Sequence, residues 1–167
     1  MKKQTYFLAS LGCAKNSVDS DSIAVLLERE GFRGAEKPNQ AEVLIVNTCG
    51  FIQQARDESI EVLRELSAGK KSGQILIAAG CLSELFREKL TEAVPGLDGI
   101  ISTRRWMDIV DLVDSLRTEH TTRRYHLPES PTIGTDEKGV TRASIQGASA
   151  YLKIADGCRR PCAYCSI

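Results

Sequence analysis

No stretch of this 167-residue chain approaches the ~20 consecutive apolar residues that a membrane-spanning helix needs. The amino terminus, MKKQTYFLASLGC, sets two lysines before a cysteine as a lipoprotein leader does, but its apolar run from Tyr6 to Leu11 is short and contains Ser10. Net charge is missing too, since 22 basic residues cancel 22 acidic ones. No global field therefore draws the chain to nucleic acid or to an anionic membrane, and only local pairs such as Arg104-Arg105 and Arg123-Arg124 remain. Histidine is limited to His120 and His126, and no internal repeat or low-complexity tract is present. These absences point to a soluble cytoplasmic protein with no membrane partner, and they name no other partner.

What the chain does have is six cysteines and, at 42% hydrophobic residues, enough apolar material for one core of ordinary size. In a reducing compartment such cysteines serve more often as metal ligands or catalytic thiols than as a disulfide framework. Their setting follows from the hydrophobic pattern. Apolar runs at 43–46 and in QILIAAGC read as strands buried on both faces, with a short strand candidate at 5–9 and another at 99–102. After the first, Val18, Ile23, Leu26 and Leu27 recur at helical spacing and Gly31 stands at a C-cap position. Ile52, Ala55, Ser59, Val62, Leu63 and Leu66 mark a second helix, and Leu82, Phe86, Leu90 and Ala93 a third that stops at Pro95-Gly96. Trp106, Ile109, Val113 and Leu116 mark a fourth. Strands alternating with helices imply an α/β fold, a Rossmann-like or flavodoxin-like parallel sheet covered by helices over residues 1–118. A charged segment rich in Thr, Ser, Gly and Pro follows as a linker over 119–150, and residues 151–167 bring a further strand at 151–155 and a cysteine-bearing loop.

Cys13, Cys49 and Cys81 lie too far apart in sequence to meet locally, yet each follows the carboxyl end of an expected strand. Parallel strands deliver those ends to one crevice, where open α/β sheets bind ligands. Gly12, Gly50 and Gly80 beside them would let backbone approach a bulky inorganic group. The alternative is three unrelated buried cysteines, each packing as a small hydrophobe. At the other end, Cys158, Cys162 and Cys165 form CxxxCxxC with Tyr164 before the last thiol. Three thiolates on so short a loop can hold three corners of a [4Fe–4S] cluster and leave the fourth iron open. Zinc is the alternative there, although it prefers paired spacing and a fourth ligand, and both histidines lie more than thirty residues upstream. Asn16 and Asn47 beside the cysteines read as turn or cap residues, with bonding to sulfur as the alternative; Lys15 and Arg56 read as solvated surface, with contact to an acidic substrate as the alternative; and Trp106 reads as core. No side chain is singled out as catalytic.

The terminal motif, in YLKIADGCRRPCAYCSI, resembles the cluster loop of radical S-adenosylmethionine (SAM) enzymes. SLGCAKNSVDSD, LIVNTCGFIQQARDESI and AAGCL upstream resemble the N-terminal domain of the methylthiotransferases within that class, so the likeness covers almost the whole chain. It implies that Cys158, Cys162 and Cys165 hold the SAM-binding cluster, the source of a 5′-deoxyadenosyl radical. It also implies that Cys13, Cys49 and Cys81 hold an auxiliary [4Fe–4S] cluster that carries the sulfur to be transferred. An electron donor such as flavodoxin or ferredoxin is implied as well. The tripeptides after the first two cysteines, Ala14-Lys15-Asn16 and Gly50-Phe51-Ile52, are similar to the branch that modifies an aspartate of ribosomal protein twelve of the small subunit. The tRNA-modifying branch, which has Gln-Met-Asn and Ser-Val-Arg there, is the alternative. Asp21 departs from that family's usual glutamate.

Family members continue past the third cysteine of the motif into a full barrel and a small substrate-binding domain. The 167 residues alone are therefore expected not to turn over, and SAM-dependent release of 5′-deoxyadenosine by them would overturn this. An isolated first barrel strand has no partners, so residues after about Thr121 are expected to be poorly ordered. From another functional class, an iron–sulfur electron-transfer or redox-sensing module remains an alternative, as does a flavodoxin-like binding domain with structural zinc. Ligand count separates the first of these, because such carriers generally use four cysteines per cluster.

Overall fold

The structure, a computed structural model, describes residues 4–118, 124–126, 138–155, 157, 158, 160, 162 and 163. Within them, strands and helices alternate as the hydrophobic pattern requires. β1 (Thr5–Ser10) leads to α1 (Ala14–Arg29), β2 (Arg33–Gly34), β3 (Val43–Thr48), α2 (Gln53–Ala68) and β4 (Ile75–Gly80). There follow α3 (Cys81–Leu85), α4 (Arg87–Ala93), β5 (Gly99–Ile101), α5 (Ile109–Thr118), β6 (Arg124–His126) and a hairpin of β7 (Ala143–Gln146) and β8 (Ser149–Leu152). The large sheet is parallel throughout, in the order β2-β1-β3-β4-β5-β6. Of the two arrangements left open by sequence, this is the flavodoxin-like one, whose topological switch lies between β1 and β3.

Side chains of β3 alternate between two cores, as they must in a pleated strand covered on both faces. Val43 and Ile45 join Ile23, Leu27, Ile77, Ile109 and Val113 beneath α1 and α5. Leu44 and Val46 join Leu63, Leu76, Leu82 and Leu90 beneath α2, α3 and α4. Trp106 is buried, as expected, on a 3-10 turn that leads into α5. Helix α1 ends by a Schellman motif: Gly31 at φ 85° donates its N–H to the Glu28 carbonyl at 3.0 Å, and Phe32 donates to the Leu27 carbonyl at 3.0 Å. Among the described residues no helix is long and apolar enough to cross a membrane.

Four features depart from the sequence reading. β2 is two exposed residues, too short to leave a hydrophobic period. The third helix is two helices, because Phe86 at φ −133° and ψ 35° interrupts the ladder between α3 and α4. The sheet also runs past residue 118, since β6 pairs parallel to β5. Finally, the expectation of poor order beyond Thr121 fails for residues 138–155. β8 is not an isolated strand over 151–155 but the antiparallel partner of β7 at 149–152, with Ala143 opposite Leu152. The hairpin also has tertiary anchors: Val140 enters the core beside α1, and Arg29 of α1 donates to the carbonyls of Lys138 at 2.8 Å and Gly139 at 3.3 Å.

Tyr6, 5% exposed in β1, donates its hydroxyl to Glu28 Oε1 at 3.0 Å. Burial, then the hydrogen bond to Glu28 and the charge of Glu28, push its pKa from 10.0 up to about 12. The folded state thus holds this proton more tightly than the unfolded chain does. The contribution is complete below pH 10 and is lost as pH rises through 12. Denaturant unfolding of the parent and of Tyr6→Phe should show the parent losing about 2 kcal/mol more than the variant across that window.

Candidate metal centre at the carboxyl edge of the sheet

All three upstream cysteines stand at the carboxyl edge, one at each of three neighbouring strand ends. Cys13 occupies the N-cap position of α1, Cys49 directly follows β3, and Cys81 is the first residue of α3, immediately after β4. With β1, β3 and β4 adjacent in the sheet, the three loops are neighbours and flank the topological switch. Cys13 is exposed, Cys49 buried and Cys81 half-buried.

The loops touch. A Cβ on Gly12, whose φ is 94°, would lie 2.6 Å from Cys49 Cβ and 2.9 Å from Cys49 Sγ. A Cβ on Gly80, at φ 92°, would collide with Asn47 Oδ1 and with the Thr48 backbone. Gly50 passes close to the backbone of Cys81 and Leu82. The glycines beside the cysteines bring the loops against one another.

Two buried amides lock this contact. Asn16 Nδ2 donates to the Leu11 carbonyl at 2.7 Å and to the Thr48 carbonyl at 2.9 Å, joining the ends of β1 and β3. Asn47 Nδ2 donates to the Asn16 carbonyl at 2.8 Å and to Ser20 Oγ at 2.9 Å, and Ser20 Oγ donates to Ser10 Oγ at 2.8 Å. Asn16 Oδ1 lies 4.0 Å from Cys81 Sγ. The Cys49 N–H donates to Ser59 Oγ on α2 at 3.0 Å. Both asparagines are buried and bridge separate elements rather than capping a turn, and Asn16 also faces the Cys81 sulfur, the other role its position allowed. Arg56 does more than face solvent, because its Nε donates to the Gly50 carbonyl at 2.9 Å.

Burial pushes the Cys81 thiol up from 9.0 to about 11. Negative charge on Asp19, Cys49 and Cys13 adds to the rise, and Lys153 opposes it. These groups thus share one electrostatic neighbourhood. Asp19 is a residue that sequence reasoning missed. It lies three positions beyond Asn16 on the buried face of α1 and is 3% exposed. Lys153 Nζ donates to its two carboxylate oxygens at 2.8 and 2.9 Å, and Arg142 also donates to it. The Arg142 guanidinium stacks over Trp106, 4.1 Å from the ring centroid. A lone acid within the stripe of Asn16, Val18, Ser20, Ser22 and Ile23 was the signal available.

Among the described residues, no three or more His, Cys, Asp or Glu side chains are gathered so as to hold a single metal ion. A four-iron cluster is larger than an ion and sets its thiolates farther apart. The donor set at this edge consists of thiols from three neighbouring strand ends, and it suits such a group in chemistry. Of the downstream cysteines, Cys158 and Cys162 are exposed, and Cys165 lies outside the described residues.

Comparison with known proteins agrees with this architecture. The model of the family described as "Uncharacterized protein family UPF0004" matches residues 5–102, which contain the whole three-cysteine edge. The chain belongs to this family. A protein named "Ribosomal protein uS12 methylthiotransferase RimO" from Roseiflexus sp. (strain RS-1) is 40% identical over 97% of this chain and 38% of its own length. Proteins of the same name from Synechococcus sp. (strain WH7803) and Thermoanaerobacter sp. (strain X514) are 38% and 37% identical, over 99% and 96% of this chain. These relatives are matched over 34% and 36% of their own lengths, so the chain spans little more than a third of the curated proteins it resembles. Their names support the methylthiotransferase class recognised in the four cysteine motifs.

Two variants test the edge. Gly12→Ala should destabilise the fold by at least about 2 kcal/mol, because a side chain at this φ is strained and its Cβ meets Cys49. Asn16→Ala strips the half-buried Leu11 carbonyl and the buried Thr48 carbonyl of their partner and should cost roughly 2–4 kcal/mol. Urea midpoints of the two variants, with unchanged slopes, are the measurement.

Proposed function

We propose that this chain belongs to a radical SAM methylthiotransferase that adds a methylthio group to an aspartate of the small-subunit ribosomal protein uS12. The observation that carries the proposal is the meeting of Cys13, Cys49 and Cys81 at one rim of the sheet, from three separate strand ends. In this reading they hold one [4Fe–4S] cluster, and Cys158, Cys162 and Cys165 hold a second that binds SAM. The names borne by the relatives support the substrate. An electron donor of the flavodoxin or ferredoxin type and a cytoplasmic location belong to the same reading.

Inserting sulfur at an unactivated C–H bond lies beyond acid–base catalysis, and the clusters with SAM supply the radical and the sulfur when bound. The chain's own contribution is to hold the donors. Three cysteines at each site, with no fourth supplied, leave a coordination position for something other than protein. Asn16 and Asn47 tie the loops that carry Cys13 and Cys49 to one another. Cys81, whose proton is held by burial, would have to release it to serve as a ligand, so cluster binding at this site would be pH-dependent.

Iron and sulfide analysis after anaerobic reconstitution should find about eight irons per chain with matching sulfide. Cys49→Ser with Cys81→Ser should remove about half, and Cys158→Ser with Cys162→Ser the other half. A colourless protein with bound zinc would overturn the cluster assignment. For the substrate, mass spectrometry of ribosomal protein and tRNA from a deletion strain should show the methylthio group lost from uS12. Loss from tRNA with uS12 unchanged would transfer the assignment to the tRNA-modifying branch.

A further inference from the structure

The ion cluster around Asp19 joins elements that the chain separates widely. Asp19 meets Arg142 across 123 residues and Lys153 across 134. All three charged side chains are withdrawn from water, Asp19 and Lys153 to 4% and 6% side-chain exposure and Arg142 to 14%. Such a cluster holds its geometry more tightly than exposed pairs do, because losing one partner leaves an unpaired charge away from water. Its two ends lie close in sequence to the two groups of cysteines. Asp19 is six residues after Cys13, on the helix face that carries Asn16. Lys153 is five residues before Cys158, a span of at most about 18 Å even when fully extended. The Lys153 N–H also donates to the Arg142 carbonyl at 2.9 Å, so both cations are carried on one backbone unit, the hairpin.

We infer that Asp19, Arg142 and Lys153 position the loop bearing Cys158 and Cys162 beside the rim bearing Cys13, Cys49 and Cys81. Hairpin and helix are clamped by charge, and the distance between the two cysteine groups is set by the clamp rather than by the intervening chain. None of the three is a catalytic residue; they act through what they hold. The purpose of this proximity rests on the two-cluster reading above, but the clamp itself does not require metal.

The test therefore uses the metal-free full chain. With Cys49, Cys81, Cys162 and Cys165 replaced by serine, nitroxide labels on Cys13 and Cys158, both exposed, report the separation by pulsed dipolar spectroscopy. The parent should give a single narrow distance distribution. Lys153→Met, which leaves the Asp19–Arg142 pair and hence the fold in place, should broaden it at least twofold, and Asp19→Asn should do the same. Lys153→Arg should restore the narrow peak. Circular dichroism unchanged in Lys153→Met, together with a broadened distribution, separates positioning from folding. A distribution equally narrow in parent, Lys153→Met and Asp19→Asn would overturn the clamp, as would broadening that Lys153→Arg does not reverse. Absence of iron from the reconstituted parent would instead remove the function proposed above and leave the label distances to decide the clamp.

Discussion

Two carboxamides bear the constraint on which the rim depends. The ends of β1 and β3 leave a half-buried backbone carbonyl at Leu11 and a buried one at Thr48, and Asn16 satisfies both with one amide. Asn47 returns the favour to the Asn16 carbonyl, so that each residue holds the backbone of the other's element. A buried polar group that lacks a partner costs about as much as several made hydrogen bonds gain, which gives such a network only one good arrangement. Asn47 Oδ1 has no hydrogen-bond partner among the described residues and sits where a Gly80 side chain would be. The rim is therefore specified by sterics on one side and by hydrogen bonding on the other.

Much of the architecture was legible because burial on both faces of a parallel sheet writes continuous apolar runs. VLIVNT and ILIAAG are such runs, and the cysteines follow them directly, so strand ends and thiols could be placed together. The polar stripe of α1 was not legible in the same way. Asn16, Asp19, Ser20 and Ser22 all face inward, and a periodicity argument assigns such residues to solvent. Their partners lie on other strands or, for Asp19, more than a hundred residues downstream, where no local pattern reaches. The hairpin was misjudged for a related reason. β8 was assessed as a lone strand, whereas its neighbour β7 lies in sequence whose charged, Gly-containing composition resembles a linker.

The two faces of the sheet carry different loads. Beneath α2, α3 and α4 the core is apolar, and toward the rim Ser59 accepts from the Cys49 N–H while Arg56 donates to the Gly50 carbonyl. Beneath α1 and α5 the apolar core gives way toward the rim to amides, hydroxyls and a charged cluster. Precise placement of the thiols falls to the polar contacts near the rim. Apolar packing tolerates small shifts, whereas hydrogen bonds and buried charges have steep geometric optima.

The junction at Cys81 has an evolutionary corollary. β4 ends at Gly80 and α3 begins at Cys81, so no connecting residue lies between strand and helix. One residue gained or lost there would rotate the thiol by about 100° around the helix axis and carry it off the rim. Cys13, immediately ahead of α1, is under the same restriction. Added length is accommodated more readily at the opposite edge, where turns such as the one at Gly73 can lengthen without moving a sulfur atom.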